Sequence, residues 1–478
     1  MSKLNIKNSL SYVILLLAVS SCAIPDLQQR DVNKATPSMF FNNNNDTTNT
    51  SNLNWKAFFD DPYLTTLIDS ALVYNQELNI ISQEILVSRN EVMARRGEYL
   101  PFVTLNGGLE GEKVGRYTTQ GANDANTDIM PGRKFPEPLT DMFLSANASW
   151  ELDVWRKLRN AKDAAAKRYL ESVEGRNFVQ TQLIAEIAES YYELLALDNQ
   201  LDILKKNIEI QVNALEIVKL QKTAGKVTEL AVKKFEAEVL KNRSLIFNIQ
   251  QDIVVLENRI NFLTGKYPKN VERDSQNFNE ITPHKVLVGL PSQLLENRPD
   301  VRQAELEIAA TDLDVKSAKA NFYPAFRLTA GVGFDAFEPS IFLQSPESMI
   351  YSLAGELVTP LINKNAIKAQ YLSANSRQIQ AIYEFEKTLL SAYVEVSNQI
   401  SNVSNLQSSF DLKQKQVDTL NEAIQISINL FKSARADYRE VMLTQRDALE
   451  ARFELVETKM KQMKSVVNLY RALGGGWK

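Results

Sequence analysis

The chain carries one cysteine and one histidine, and their placement decides which chemistries are open to it. Cys22 follows Ser20 and Ser21, which close an apolar run at 10–19 preceded by Lys3 and Lys7. About ten apolar residues are too few to cross a bilayer as a helix, which takes roughly 20, but suit a secretory signal segment. A small-residue pair directly ahead of a cysteine has the pattern of a bacterial lipidation site. Residues 1–21 are therefore predicted to be a removed signal peptide and the Cys22 thiol to be acylated. As the sole cysteine it can form no intrachain disulfide. His284 lies in Pro283-His284-Lys285 with no motif around it. No thiol remains for a nucleophile, there is no His/Cys metal set, and no Walker-type phosphate loop appears. Carboxylates are plentiful, but pairing with Lys or Arg at i,i+4 explains most of them. The sequence predicts no enzyme, no catalytic residue, no metal, and no cofactor beyond the lipid on Cys22.

The elements that would carry these residues are long rods. Residues 361–473, a stretch of 113, contain neither glycine nor proline, and 155–224 contain only Gly175. Gly and Pro are the strongest breakers of regular structure, so both stretches are predicted helical. At 1.5 Å per residue, about 65 helical residues reach on the order of 100 Å. Such rods span a distance and do not wrap a small active site. Leu194, Leu201, Ile208 and Leu215 recur every seven residues, with Leu197, Leu204, Gln211 and Val218 three further on. That is a coiled-coil seam with one polar position. Val403, Phe410, Val417, Ile424 and Phe431 repeat the same period.

Four shorter segments alternate apolar with polar residues and are predicted as strands, at about 102–112, 141–152, 325–334 and 350–357, the last being the weakest. Their period of two fits a barrel wall, apolar outside and polar inside. The intervening stretches 113–139 and 335–349 are rich in Gly, Asn, Asp and Pro and are expected to be outer loops. Four strands cannot close a barrel, because the smallest transmembrane barrels have eight. If these strands cross a membrane, several copies must share one barrel.

The plan occurs twice. Pro101 and Pro324 each stand between a helical pattern and a strand. Trp150-Glu-Leu-Asp-Val-Trp-Arg156 parallels Gly355-Glu-Leu-Val-Thr-Pro-Leu361 ahead of each long rod. Gly225-Lys-Val-Thr-Glu-Leu-Ala-Val232 parallels Ala434-Arg-Ala-Asp-Tyr-Arg-Glu-Val441, each a turn between a rod and its return. The divisions expected are a signal peptide at 1–21, a lipidated polar tether at 22–54, extended or flexible, and repeats at 55–280 and 281–478. The formal net charge of −4 becomes −6 once Lys3 and Lys7 leave, which argues against a nucleic-acid partner.

Several motifs in order then resemble one family. Asn54-Trp-Lys-Ala-Phe-Phe-Asp-Asp-Pro-Tyr-Leu64, Leu294-Leu-Glu-Asn-Arg-Pro-Asp-Val-Arg-Gln-Ala-Glu305, the Trp150–Arg156 junction and Leu473-Gly-Gly-Gly-Trp477 are similar to the outer-membrane factors, the TolC-like channel-tunnels, in their OprM- or NodT-like lipoprotein branch. The resemblance implies a mainly α-helical fold, a long antiparallel coiled-coil barrel plus four strands per chain, with one twelve-stranded barrel shared by a homotrimer in the outer membrane. It implies partners too, a periplasmic adaptor and an inner-membrane pump of the RND class, and export of small molecules. In that family the second turn narrows the tunnel. Here the stretch holds Asp437, Arg439, Glu440 and Leu443, with Leu443 where many relatives have an aspartate; Asp437, Arg439 and Glu440 could tie neighbouring helices shut. The corresponding first turn holds Gly225, Thr228 and Glu229. Two alternatives stay open at this level: a lipid-anchored periplasmic coiled-coil scaffold or adaptor, and a type I protein secretion channel.

Overall fold

Helix breakers set the element boundaries. The computed structural model describes residues 24–40, 47–276, 278–360, 364–433 and 435–478. The predicted signal segment, Cys22, Ala23, residues 41–46 of the tether and Ala434 lie outside the described residues. In chain order come α1 (Pro62–Tyr74), α2 (Gln76–Tyr99), β1 (Phe102–Glu112), α3 (Thr119–Asn126), β2 (Asp128–Met130), β3 (Arg133–Lys134) and β4 (Leu139–Leu152). They are followed by α4 (Lys157–Thr223), α5 (Glu229–Leu263), α6 (Pro299–Ala320), β5 (Ala325–Ala336), β6 (Met349–Val358), α7 (Asn365–Lys432) and α8 (Tyr438–Ala472). The rods α4 and α7 run 67 and 68 residues, and each returning helix, α5 and α8, runs 35. The fold is the expected one, mainly helical with four principal strands. The outer stretch after β1, expected as plain loop, contains α3 and the β2–β3 hairpin. Among the described residues no helix is long and apolar enough to cross a membrane.

The chain divides into two units. Of the described residues, one holds Ile24–Asp31, Leu86–Leu170 and Leu306–Tyr383. Its sheet runs β1-β4-β5-β6, antiparallel throughout. Register places Leu105 opposite Ala146, Ala146 opposite Val332 and Val332 opposite Tyr351. One face is therefore apolar across all four strands. The other carries Asn106, Ser145, Asn147, Thr329 and Ser352. Two prolines and an aspartate fix the ends: Pro101 and Pro324 stand just ahead of β1 and β5, and Asp153 accepts from the backbone N–H of Leu158 (3.0 Å) and Arg159 (2.9 Å) at the start of α4. That capping satisfies donors a helix start leaves unpaired and explains Asp153 in the Trp150–Arg156 motif. Trp150 and Trp155 brace the same corner, donating to the Tyr99 carbonyl (3.1 Å) and the Pro324 carbonyl (2.8 Å).

The other unit holds Val32–Ile85, Glu171–Glu305 and Glu384–Lys478. Its main core gathers Trp55, Phe58, Phe59, Tyr191 and Tyr470 with aliphatics of α1, α4 and α8. The Tyr191 hydroxyl donates to Asp61 at 2.9 Å, and Asp61 also caps α1 through the N–H groups of Tyr63 and Leu64. Burial, and secondly the Asp61 carboxylate, push the Tyr191 phenol up, so it stays a donor. The heptad seam is buried at Leu194, Leu204, Ile208, Leu215 and Val218. Its polar position has a matching partner: Gln211 Oε1 accepts from Asn242 Nδ2 at 2.8 Å, both residues buried. A buried polar pair of this kind fixes the register of two helices, since sliding either would strand the other's amide.

The polar arm expected to be extended or flexible is held in its described parts. In the sheet-bearing unit Ile24 and Leu27 pack on Phe322 and Tyr371, and the Arg30 guanidinium lies 4.0 Å over the Tyr383 ring. In the helical unit Phe40 is fully buried and stacks on Tyr393 at 5.5 Å.

Candidate functional site

The two helical turns and the polar face of the sheet are where the chain could act on something passing by. At the first turn α4 ends with Gly225 at φ +72°. Its N–H bonds the Lys222 carbonyl and the Lys226 N–H bonds the Gln221 carbonyl, both at 2.9 Å. This is a Schellman stop, which calls for glycine at the left-handed position. Thr228 precedes α5 as its cap, without a side-chain capping bond. Glu229 opens α5 and pairs with Lys222, so an ion pair crosses the turn. The hydrogen bond from Lys222 holds the Glu229 carboxyl below the usual range.

The second turn has the same spacing but different wiring. The Arg435 N–H bonds the Leu430 carbonyl at 2.9 Å, and Asp437 takes the cap position of α8, again without a side-chain capping bond. Arg439 Nε donates to Asp437 Oδ2 at 3.1 Å, both side chains largely exposed. The pair lies within one turn of backbone and, among the described residues, ties no neighbouring helix. Glu440 lies exposed in the first turn of α8, where the helix dipole favours a carboxylate. Leu443 is exposed one helical turn on. Beneath them Tyr438 and Met442 join Phe431 and residues of the first hairpin, Leu215, Val218, Phe235 and Val239, in one cluster. The two turns thus share a core, while Arg439, Glu440 and Leu443 point away from it.

A feature at the far end of the polar sheet face was not foreseen from the sequence. Glu110 stands directly opposite Asp141, and Asp335 on the next strand stands opposite Phe143, two residues along from Asp141. Like charges placed across a ladder weaken it. The signal was visible as acidic residues on the polar phase of three separate strands, but their adjacency needs the register.

The family model described as outer membrane efflux protein matches residues 67–266 and 290–475. The chain belongs to the outer membrane efflux protein family. Among curated relatives it is 26% identical over 466 residues to the cation efflux system protein CusC of Escherichia coli O6:H1, covering 96% of this chain and 97% of that one. It is 25% identical over 427 residues to the pyoverdine export outer membrane protein OpmQ of Pseudomonas aeruginosa, covering 88% and 87%. The open state of the MtrE outer membrane channel of Neisseria gonorrhoeae has the same fold, with a TM-score of 0.83 at 22% identity over 95% of this chain and 98% of that one. This efflux protein is a component of an outer-membrane channel.

Proposed function

We propose that this outer membrane efflux protein works as a homotrimer that passively conducts small molecules handed over by a periplasmic adaptor and an inner-membrane pump of the RND class, with acylated Cys22 as its lipid anchor. The sheet carries the reading. One face is apolar but for Thr140 at its end, and largely exposed, and β1 and β6 pair with no further strand among the described residues. Open strand edges are not tolerated in hydrocarbon, so the edges must meet those of other copies. Three copies supply twelve strands, enough for a barrel with an aqueous interior. The apolar face then meets lipid and the polar face lines the passage. The named cargoes of CusC and OpmQ, cations and pyoverdine, differ at nearly equal identity to this chain, so we assign cargo selection to the inner-membrane component. Native mass spectrometry of the detergent-extracted protein is expected to give three chains. A stable monomer that keeps all its strands in lipid rules the reading out.

At the second turn, threefold symmetry would bring copies of Arg439 and Glu440 near one axis, where like charges repel and the local Asp437 partner matters. Arg439→Ala is expected to raise single-channel conductance in planar bilayers, and Glu440→Ala to lower cation preference and block by multivalent cations. These groups are exposed, so both effects shrink as salt rises from about 0.05 to 1 M, where the screening length falls to about 3 Å. Wild-type conductance in both variants at low salt would move the constriction to the first turn, around Thr228 and Glu229.

A further inference from the structure

Three segments far apart in sequence meet in the helical unit. They are the stretch around Asn52 and Asn54, the stretch around Asn297 and Arg298, and the residues after α8. The glycines make the meeting possible. Gly474 (φ +86°) and Gly475 end α8 with N–H bonds to the carbonyls of Arg471 (2.8 Å) and Tyr470 (3.0 Å). A Cβ on Gly474 would lie 2.3 Å from the Asn297 carbonyl oxygen, and one on Gly475 would lie 2.3 Å from the Tyr470 ring. The tail is therefore pressed against its surroundings at a distance only glycine permits.

Beyond the glycines both side chains find remote partners. Trp477 Nε1 donates to the Asn297 carbonyl at 3.0 Å. Lys478 Nζ donates to Asn52 Oδ1 (2.7 Å) and to Asn297 Oδ1 (2.8 Å), so one ammonium bridges the two other segments. Asn54 Nδ2 donates to the Lys478 carbonyl oxygen (3.1 Å), and the Tyr470 hydroxyl donates to the Leu53 carbonyl (2.7 Å). Hydrogen bonds from a charged donor are among the stronger ones. We propose that residues 473–478 are a latch: seated, they hold residues 50–58 and 294–302 as one cooperative unit, and unseated, they release both together.

Hydrogen exchange on the full-length protein in detergent tests this, since local opening is read segment by segment. Lys478→Met keeps the chain and removes both bridging donors from an exposed side chain. Exchange in 50–58 and in 294–302 is expected to rise together, about tenfold in each, with 229–240 of α5 unchanged. Trp477→Phe removes the indole donor, keeps a smaller ring beside Arg302 and Lys478, and should raise both segments by a smaller, equal factor. A rise confined to 473–478, a rise in one remote segment without the other, or no change in either variant overturns the latch.

Discussion

Leu353→Arg is expected to abolish assembly of the membrane-inserted channel, while Ala354→Arg, one residue on, leaves it intact. Leu353 sits mid-strand in β6, opposite Ala330, and is 81% exposed in the single chain. Its face also carries Leu105 (75% exposed), Tyr351 (83%) and Leu357 (61%), with no polar residue between them. An arginine on the lipid face of a barrel costs about 2–4 kcal/mol at the bilayer midplane, and in a trimer the cost falls three times, about 6–12 kcal/mol in all. Ala354 pairs with Thr329 on the opposite, polar face, where a charge meets water. Extraction from outer membranes followed by native mass spectrometry and a heat-modifiability gel reads the outcome. If the two arginines behave alike, the sheet does not divide lipid from lumen and the channel reading fails with it.

Arg298→Met should cause the largest loss of stability of any single change in the helical unit. Arg298 is nearly buried and makes a two-pronged pair with Asp300, at 3.0 Å from Nε and 2.7 Å from Nη2. Its Nη1 reaches Glu395 (2.8 Å) and the Ala472 carbonyl (2.7 Å). Arg471 binds the other oxygen of Glu395 at 2.9 Å. One guanidinium thus joins the start of α6, the body of α7 and the end of α8. Methionine fills the volume but leaves two carboxylates and a carbonyl without it, and breaking a buried pair in this way costs about 3–5 kcal/mol. For a unit of this size the thermal midpoint should fall by roughly 6–20 °C, at about 2–4 °C per kcal/mol. Arg298→Lys keeps the charge but not the planar fork and should lose about half as much. Thermal unfolding followed by circular dichroism in detergent measures both. A midpoint within 2 °C of the parent protein for Arg298→Met would show that the network contributes nothing net.

These two residues mark how far the sequence could be read. Leu353 was legible as one apolar member of an alternating segment, and that segment, expected to be the weakest strand, pairs along its whole length with β5. Arg298 was legible only as part of a motif resembling a family. Nothing near it in sequence names Glu395 or Ala472, about 100 and 170 residues away. The same contrast holds for Gln211, visible as the polar step in a heptad, whose partner Asn242 lies across a turn on another helix.

By itself the sequence determined what depends on local period and composition: rods where Gly and Pro are absent, strands where apolar and polar residues alternate, stops at Gly225, and the lack of any enzyme motif. Each follows from backbone geometry within a few residues, which neighbouring side chains set. Tertiary structure decided what depends on pairing between distant segments. It gave the register that gathers one apolar face from four strands, set Glu110 against Asp141, and turned Arg439 toward Asp437 in its own turn. It also brought the Asn54, Asn297 and Trp477 motifs to one place. Such contacts arise because burial and hydrogen-bond satisfaction are collective, and no single stretch of chain contains both partners.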